Sequence, residues 1–385
     1  MIPYSTQDIT KEDIEEIIKT LNSDLLTQGP KNIEFENLIK EKCKAKFSFS
    51  TNSASSALHL ACLALNLTTG DIVWTSPISF VASANCAINC GATVDFVDID
   101  PLTYNLSTNA LEEKLIEAKK NNKIPKIVIP VHLAGQPCDM ERIYQLSIKY
   151  GFKIIEDASH ALGSKYKNSN IGSCLYSDIT IFSFHPVKII TTGEGGMVLT
   201  KDKDLAHNIK LMRTNGITKE EVFFTHPSHG PWYYEQQDKG FNYRLNDIQA
   251  ALGCSQVKRL DKNIKLRHEI ANRYDNSLSN LPLKTPFCSQ DCFTSYHLYI
   301  IRILEEDSKK SHLETFQYLR SKNIGVNLHY IPIYKHPFYQ KLGFKEYELP
   351  NAEKYYNSAI SIPIFPNLNL DQQQEVIKEI ENCLE

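Results

Sequence analysis

Between residues 72 and 157 short apolar runs alternate with segments of helical periodicity, and few folds accept that order. The runs at 72–75, 93–98, 126–131 and 153–157 read as strands. A loop and helix over 77–87, then helices over 109–120 and 140–150, separate them. A strand joined to the next through a helix pairs with it in parallel, and such crossovers cover both faces of the sheet. The expectation is an α/β fold on a mostly parallel sheet. Ligands of such sheets bind beyond the carboxyl ends of the strands, where Phe80, Asp157 and Lys188 fall. Neither Gly-x-Gly-x-x-Gly nor Gly-x4-Gly-Lys-Ser/Thr occurs, so both nucleotide fingerprints are absent.

The flanks complete the plan. An N-terminal arm precedes helices over about 11–21 and 33–43, with a polar loop at 24–30 between them. After a short run at 47–50, Ala54, Ala57, Leu58, Ala61 and Leu65 give a helical stripe. Further on come a strand ending near 184, a second strand near 196–199 and a helix over 204–213. Asn246 and Gln249 have capping-box spacing for the next helix. A long helix over about 256–278 leaves the first domain, and Pro282 and Pro286 mark the passage. The remainder alternates strands (295–304, 326–330) with helices (311–322, 370–384), the pattern of a smaller α+β domain. At 385 residues one core is not enough. The expected division is an arm and loop at 1–30, a large domain at 31–255, and a linking helix with a small domain at 256–385.

Composition removes other classes. A net charge of −3 and no interleaving of arginine with aromatics give no footprint for nucleic acid. No apolar run reaches the ~18 residues that span a bilayer. The first residues have neither a basic start nor an apolar core, so no signal peptide is expected. The ten cysteines are scattered, without Cys-x2-Cys or zinc-ligand spacing, so no metal site is expected. The expectation is a cytoplasmic protein with reduced, mostly buried thiols.

Four features carry chemistry. Lys188 follows a strand end and His185-Pro186, and no carboxylate comes after it until Glu194. Burial would lower its pKa and make its amine a nucleophile; otherwise its stem packs while its head reaches solvent. Asn52, Ser53, Ser55 and Ser56 crowd a helix start, either as an anion site or as plain caps. Asp157 ends a strand in Asp-Ala-Ser-His, where it is a ligand-directed acid or a cap. Phe80 offers a flat apolar wall. Together they are the parts that hold pyridoxal 5′-phosphate: a phosphate cradle, an acid for the pyridine nitrogen, a stacking ring and a Schiff-base lysine. Leu25-Leu26 in the polar loop is either a packing contact or a wall of a ligand site.

Residues 52–58, 157–163, 182–188 with the following Glu-Gly-Gly, and 240–253 resemble the sugar-nucleotide aminotransferases of the DegT/DnrJ/EryC1/StrS family. The likeness covers essentially the whole chain, in order. It implies the aspartate-aminotransferase type of pyridoxal-phosphate fold, with a seven-stranded, mostly parallel sheet and a smaller C-terminal domain. It also implies a homodimer with active sites at the subunit interface. By motif, Lys188 matches the Schiff-base lysine, Asp157 the partner of the pyridine nitrogen and Phe80 the stacking ring. Ser55, Ser56 and Ser183 match phosphate ligands, and Asn242 a phosphate ligand supplied by the other subunit. His160 matches a residue against the cofactor. Tyr4, Ala54, His329 and the 24–29 loop with Leu26, Thr27 and Gln28 match the wall of a sugar-nucleotide site. Arg244 matches either a nucleotide-phosphate contact or an interface ion pair. Some relatives carry histidine in place of the lysine and dehydrate sugars; here Lys188 is present, which favours transamination. The implied reaction moves the amino group of L-glutamate to C4 of a UDP-linked 4-keto-6-deoxy-N-acetylhexosamine, as in pseudaminic acid synthesis. A bacillosamine- or legionaminic-type UDP sugar, or a dTDP sugar, is the alternative.

Overall fold

The structure, a computed structural model, describes residues 1–384. Its main sheet is built from β1 (Phe47–Thr51), β2 (Ile72–Thr75), β3 (Thr93–Phe96), β4 (Ile127–Ile129), β5 (Lys153–Asp157), β6 (Ile179–Ser183) and β7 (Gly196–Thr200). Their order in space is β1-β7-β6-β5-β4-β2-β3. All run parallel except β7, which pairs antiparallel with both β6 and β1. The mostly parallel seven-stranded sheet expected from the sequence is present.

Strand alternation sends neighbouring side chains to opposite cores. Ile154 and Phe182 join one core with Phe35, Leu111 and Leu146, while Ile155 and Ile181 join the other with Leu58, Val73 and Ile209. The helices that cover these faces are α1 (Lys11–Leu21), α2 (Pro30–Cys43), α3 (Ala54–Ala64), α4 (Ala82–Asn89), α5 (Thr108–Lys120), α6 (Met140–Tyr150), α7 (Lys203–Arg213) and α8 (Asp247–Val257). Full burial of a ring such as Phe182 contributes about 2 to 3 kcal/mol.

Helix α9 (Leu260–Leu278) leads to a three-stranded sheet of β8 (Leu283–Lys284), β9 (Tyr299–Ile303) and β10 (Ala359–Ile362). With α10 (His312–Ser321) and α11 (Leu370–Leu384) it encloses a separate core of Tyr274, Tyr299, Ile301, Leu319, Ile360 and Ile380. Ile2 of the N-terminal arm belongs to that core, and its backbone pairs with Asn323 and Gly325. A fourth cluster, with Ile78, Ile99 and Leu133 against Leu298, Ile300 and Tyr355, joins the two sheets.

Three local expectations are corrected. The long helix begins at Leu260 rather than at 256: residues 256 and 257 still belong to α8, and a corner at Lys258 and Arg259 separates it from α9. There the Arg259 guanidinium grips both carboxylate oxygens of Asp13 at 2.9 Å, a contact from the far end of the chain. Residues 326–330 form no strand: Asn327 exchanges two backbone hydrogen bonds with Ser361, and the chain then turns away. Only half of the capping box at α8 forms. Asn246 accepts from the Gln249 N–H, but the Gln249 side chain donates to the Glu194 carbonyl instead. Among the described residues no helix is long and apolar enough to cross a membrane.

Candidate active site

The carboxyl ends of β5 and β6, the start of α3 and the segment after Asn327 enclose a cavity of about 880 Å³. Tyr4, Ala54, Ser55, Ser56, Phe80, Asp157, His160, Ser183, Lys188 and His329 all line it. Sequence reasoning had drawn these from separate stretches; the fold brings them together.

Lys188 sits between two strands that run against each other. Its own N–H donates to the His185 carbonyl, and the loop behind it is pinned where Thr191 and Thr192 donate to the Phe184 carbonyl. Burial disfavours the ammonium and lowers the Lys188 pKa to about 8, with Asp157 pulling the other way. A larger share of its amine is therefore neutral near physiological pH than for an ordinary lysine.

Asp157 is 4% exposed, and both its oxygens are held. Oδ1 accepts from the Ser159 N–H at 3.2 Å and hydroxyl at 2.6 Å, and Oδ2 from the Ser83 hydroxyl at 2.6 Å. Its neighbour Glu156 points to the opposite face of β5, where His132, Ser177 and Thr180 satisfy it.

At the start of α3, Ser53 caps the helix by accepting from the Ser56 N–H, and the Ser56 hydroxyl reaches Asn52 Oδ1. Ser55 is left exposed on the cavity side. An ideal Cβ on Gly196 of β7 would lie 2.6 Å from the Ser53 carbonyl. Only glycine permits that approach, which seats the helix start over the end of the sheet. The Phe80 ring, apolar yet 59% exposed, faces the same space and lies 6.4 Å from the Tyr330 ring.

Three histidines line the cavity beside Lys188. His160 Nδ1 accepts from the Ala134 N–H at 3.3 Å, so the neutral ring carries its proton on Nε2 and donates it to Tyr330 Oη at 3.1 Å. Burial holds His160 well below the usual histidine range, with Lys188 and His329 adding to the effect. His297 packs on His160 at 4.3 Å between ring centroids and is lowered in the same way. Its Nδ1 is buried without a partner among the described residues. His329 lies against the Tyr4 ring at 5.2 Å, bonds Ser361 Oγ at 2.8 Å, and is pushed down to about 3 by burial.

The remaining sequence-predicted residues lie outside this cavity. Leu26, Thr27 and Gln28 are exposed in a loop tied to the start of α8, where the Asp247 N–H donates to the Leu26 carbonyl. Asn242 is exposed and Arg244 half-buried just before α8. Sequence reasoning missed Ser83, Ser159, His297 and Tyr330. Ser159 lay inside a quoted motif, and Tyr330 follows His329 directly; nothing in the sequence pointed Ser83 or His297 inward.

The residues present fit pyridoxal 5′-phosphate. The chain offers a helix start with free hydroxyls, a buried acid with oxygens at the cavity wall, an open ring face and a lysine of lowered proton affinity.

Comparison with known proteins agrees with that chemistry. Residues 7–381 match the DegT/DnrJ/EryC1/StrS aminotransferase family. A UDP-4-amino-4,6-dideoxy-N-acetyl-β-L-altrosamine transaminase of Campylobacter jejuni is 39% identical over 386 residues, covering 100% of this chain and 98% of the relative. The structure of Helicobacter pylori PseC, an aminotransferase of pseudaminic acid biosynthesis, superposes with a TM-score of 0.89 at 34% identity. The match covers 100% of this chain and 99% of that one. A sugar aminotransferase of Streptococcus pneumoniae in its PLP form gives a TM-score of 0.88 at 28% identity, covering 100% of both chains.

Proposed function

Because the chain belongs to the DegT/DnrJ/EryC1/StrS aminotransferase family and uses pyridoxal 5′-phosphate, we propose that it moves the amino group of L-glutamate to C4 of a UDP-linked 4-keto-6-deoxy-N-acetylhexosamine. The product would be the UDP-4-amino-4,6-dideoxy-N-acetyl-β-L-altrosamine of pseudaminic acid synthesis. The observation that carries the reading is the meeting of Lys188, Asp157 and the α3 start in one cavity that Tyr4 and His329 also line.

When bound, pyridoxal 5′-phosphate supplies an aldehyde that stores an amino group and a ring that takes up charge from a deprotonated carbon. Ser55, Ser56 and Ser183 would hold its phosphate through hydroxyls and the α3 N–H groups. Asp157 would face the ring nitrogen and keep it protonated, and Phe80 would cover the ring face. Lys188 Nζ, once free and neutral, takes the proton from the α-carbon of glutamate. In the second half of the reaction the same nitrogen returns a proton at the sugar carbon. His160, locked as the Nε2–H tautomer, leaves the Tyr330 hydroxyl proton free to donate into the cavity.

Leu26, Thr27, Gln28, Asn242 and Arg244 enter this reading through a second copy of the chain. They share one surface around the start of α8 and would complete the partner's site in a cytoplasmic homodimer. Arg244, without a carboxylate partner among the described residues, would meet the nucleotide phosphates. The deciding assay incubates the protein with glutamate and each C5 epimer of the UDP-4-keto-6-deoxy-N-acetylhexosamine, with a dTDP-4-keto sugar beside them. Amination of the L-arabino epimer alone supports the assignment. Amination of only the other epimer or of the dTDP sugar moves it to the alternative substrate, and no amination of any sugar overturns it.

A further inference from the structure

Ser83 lies in the first turn of α4 and Ser79 four residues earlier in the bend that leads into it, 1% and 3% exposed. The Ser83 hydroxyl meets Asp157 Oδ2 at 2.6 Å, and the Ser79 hydroxyl meets Ser83 Oγ at 2.6 Å. An ionised carboxylate can only accept, so the single Ser83 proton is committed to Asp157. The Ser79 proton must then go to Ser83. The chain of donors has one direction, from Ser79 through Ser83 to Asp157, and each bond polarises the next. Ser159 performs the matching task on Oδ1.

We propose that Ser83 is a positioning residue that fixes the orientation of Asp157 toward the cofactor's ring nitrogen, with Ser79 acting behind it. The inference rests on the proposed role of Asp157. The segment that presents the Phe80 ring to the cavity also carries the hydroxyls that aim the acid, so ring wall and ring-nitrogen partner are set by one short turn. Without the Ser83 proton, Oδ2 would face a buried gap, and the carboxylate would be free to rotate about its last bond.

The test uses the purified holoenzyme and its visible absorption. Cofactor affinity is measured by titrating pyridoxal 5′-phosphate back into stripped protein, and the absorption band is followed against pH. Ser83→Ala is expected to bind the cofactor roughly tenfold more weakly, equivalent to about 1.4 kcal/mol, and to displace the pH profile of the band. Ser83→Thr, which keeps the hydroxyl, is expected to recover both. Ser79→Ala removes only the donor behind Ser83 and is expected to move both readouts the same way by less. It decides the matter should Ser83→Ala not fold. Affinity and profile unchanged in Ser83→Ala, or in Ser79→Ala if that variant must serve, overturn the proposal. An unsubstituted protein that binds no cofactor would instead overturn the functional reading itself.

Discussion

Gly196 and Ser53 lie so close that a β-carbon on the glycine would sit 2.6 Å from the serine carbonyl carbon and oxygen. The backbone of an antiparallel strand thereby carries the start of the helix that would cradle a phosphate. Gly196→Ala is expected to push α3 off its seat, costing about 1 to 3 kcal/mol as overpacking does. Cofactor affinity should fall with it. Thermal melting and cofactor titration of the variant check both effects.

The lowered Lys188 pKa predicts how the apoprotein takes up cofactor. Only the neutral amine attacks an aldehyde, and its fraction rises through a pKa of about 8. The rate of cofactor incorporation should climb from pH 7 to pH 9 with its midpoint near 8. Stopped-flow absorbance reads it directly, and a rate flat over that range would contradict the buried, low-pKa amine.

His160, His297 and His329 predict acid lability. Their folded pKa values are depressed, so the folded state keeps them neutral where the unfolded chain takes up protons, below about 6.5. The unfolded state then binds more protons, and stability falls as pH drops below that value, by about 1.4 kcal/mol per pH unit for each histidine. Urea unfolding midpoints at pH 7, 6 and 5 check the slope, and His297→Phe should reduce it by one histidine's share.

Asp247 predicts a structural link between the 24–29 loop and α8. Fully buried, it accepts from the N–H groups of Gly29 and Lys31 at 2.9 Å, and from the Asn32 N–H and side chain at 3.3 Å. Asp247→Asn turns a donor toward donors and is expected to cost about 1 to 3 kcal/mol. Hydrogen exchange should rise first in residues 26–32. If those residues form a partner's sugar site, KM for the sugar should rise more than kcat falls.

The proposed sharing of sites between two copies predicts complementation. Lys188→Ala and Asn242→Ala homodimers should each be impaired, the first by a factor of 10³ or more, on the order expected for loss of a nucleophile. Mixed dimers would contain one site with both residues intact. Activity on mixing the two preparations above that of either alone, measured with the same sugar and glutamate, confirms it; no recovery in verified mixed dimers argues against sharing.

Much of this architecture could be read from the chain because it follows from short-range pattern. Periodicity located β2, β5, α1, α6 and α11 to the residue or nearly so, and strand ends located Asp157 and Lys188. What could not be read depends on remote segments meeting. Tyr330 acquires meaning only when the segment after Asn327 lies against His160, 170 positions away. The corner between α8 and α9 forms where Arg259 meets Asp13 across 246 positions. Ser83 looks like any helix serine until α4 packs beside the end of β5. Asn242, Arg244 and the 24–29 loop carry family motifs, yet one chain's own cavity contains none of them.

The reversed strand β7 has a consequence for redesign. Ser183 and Gly196 are paired across the two strands, so the segment carrying Lys188 leaves and rejoins the sheet at the same rung. Its span is fixed like a bracket bolted at both feet, and the reach of the amine is the length of one side chain. Lengthening that segment would spoil the aim of Lys188 without making room. Altered selectivity is better sought at Tyr4 on the arm and at His329, which is bonded to Ser361 of the smaller sheet, since both can be exchanged while the bracket stays in place.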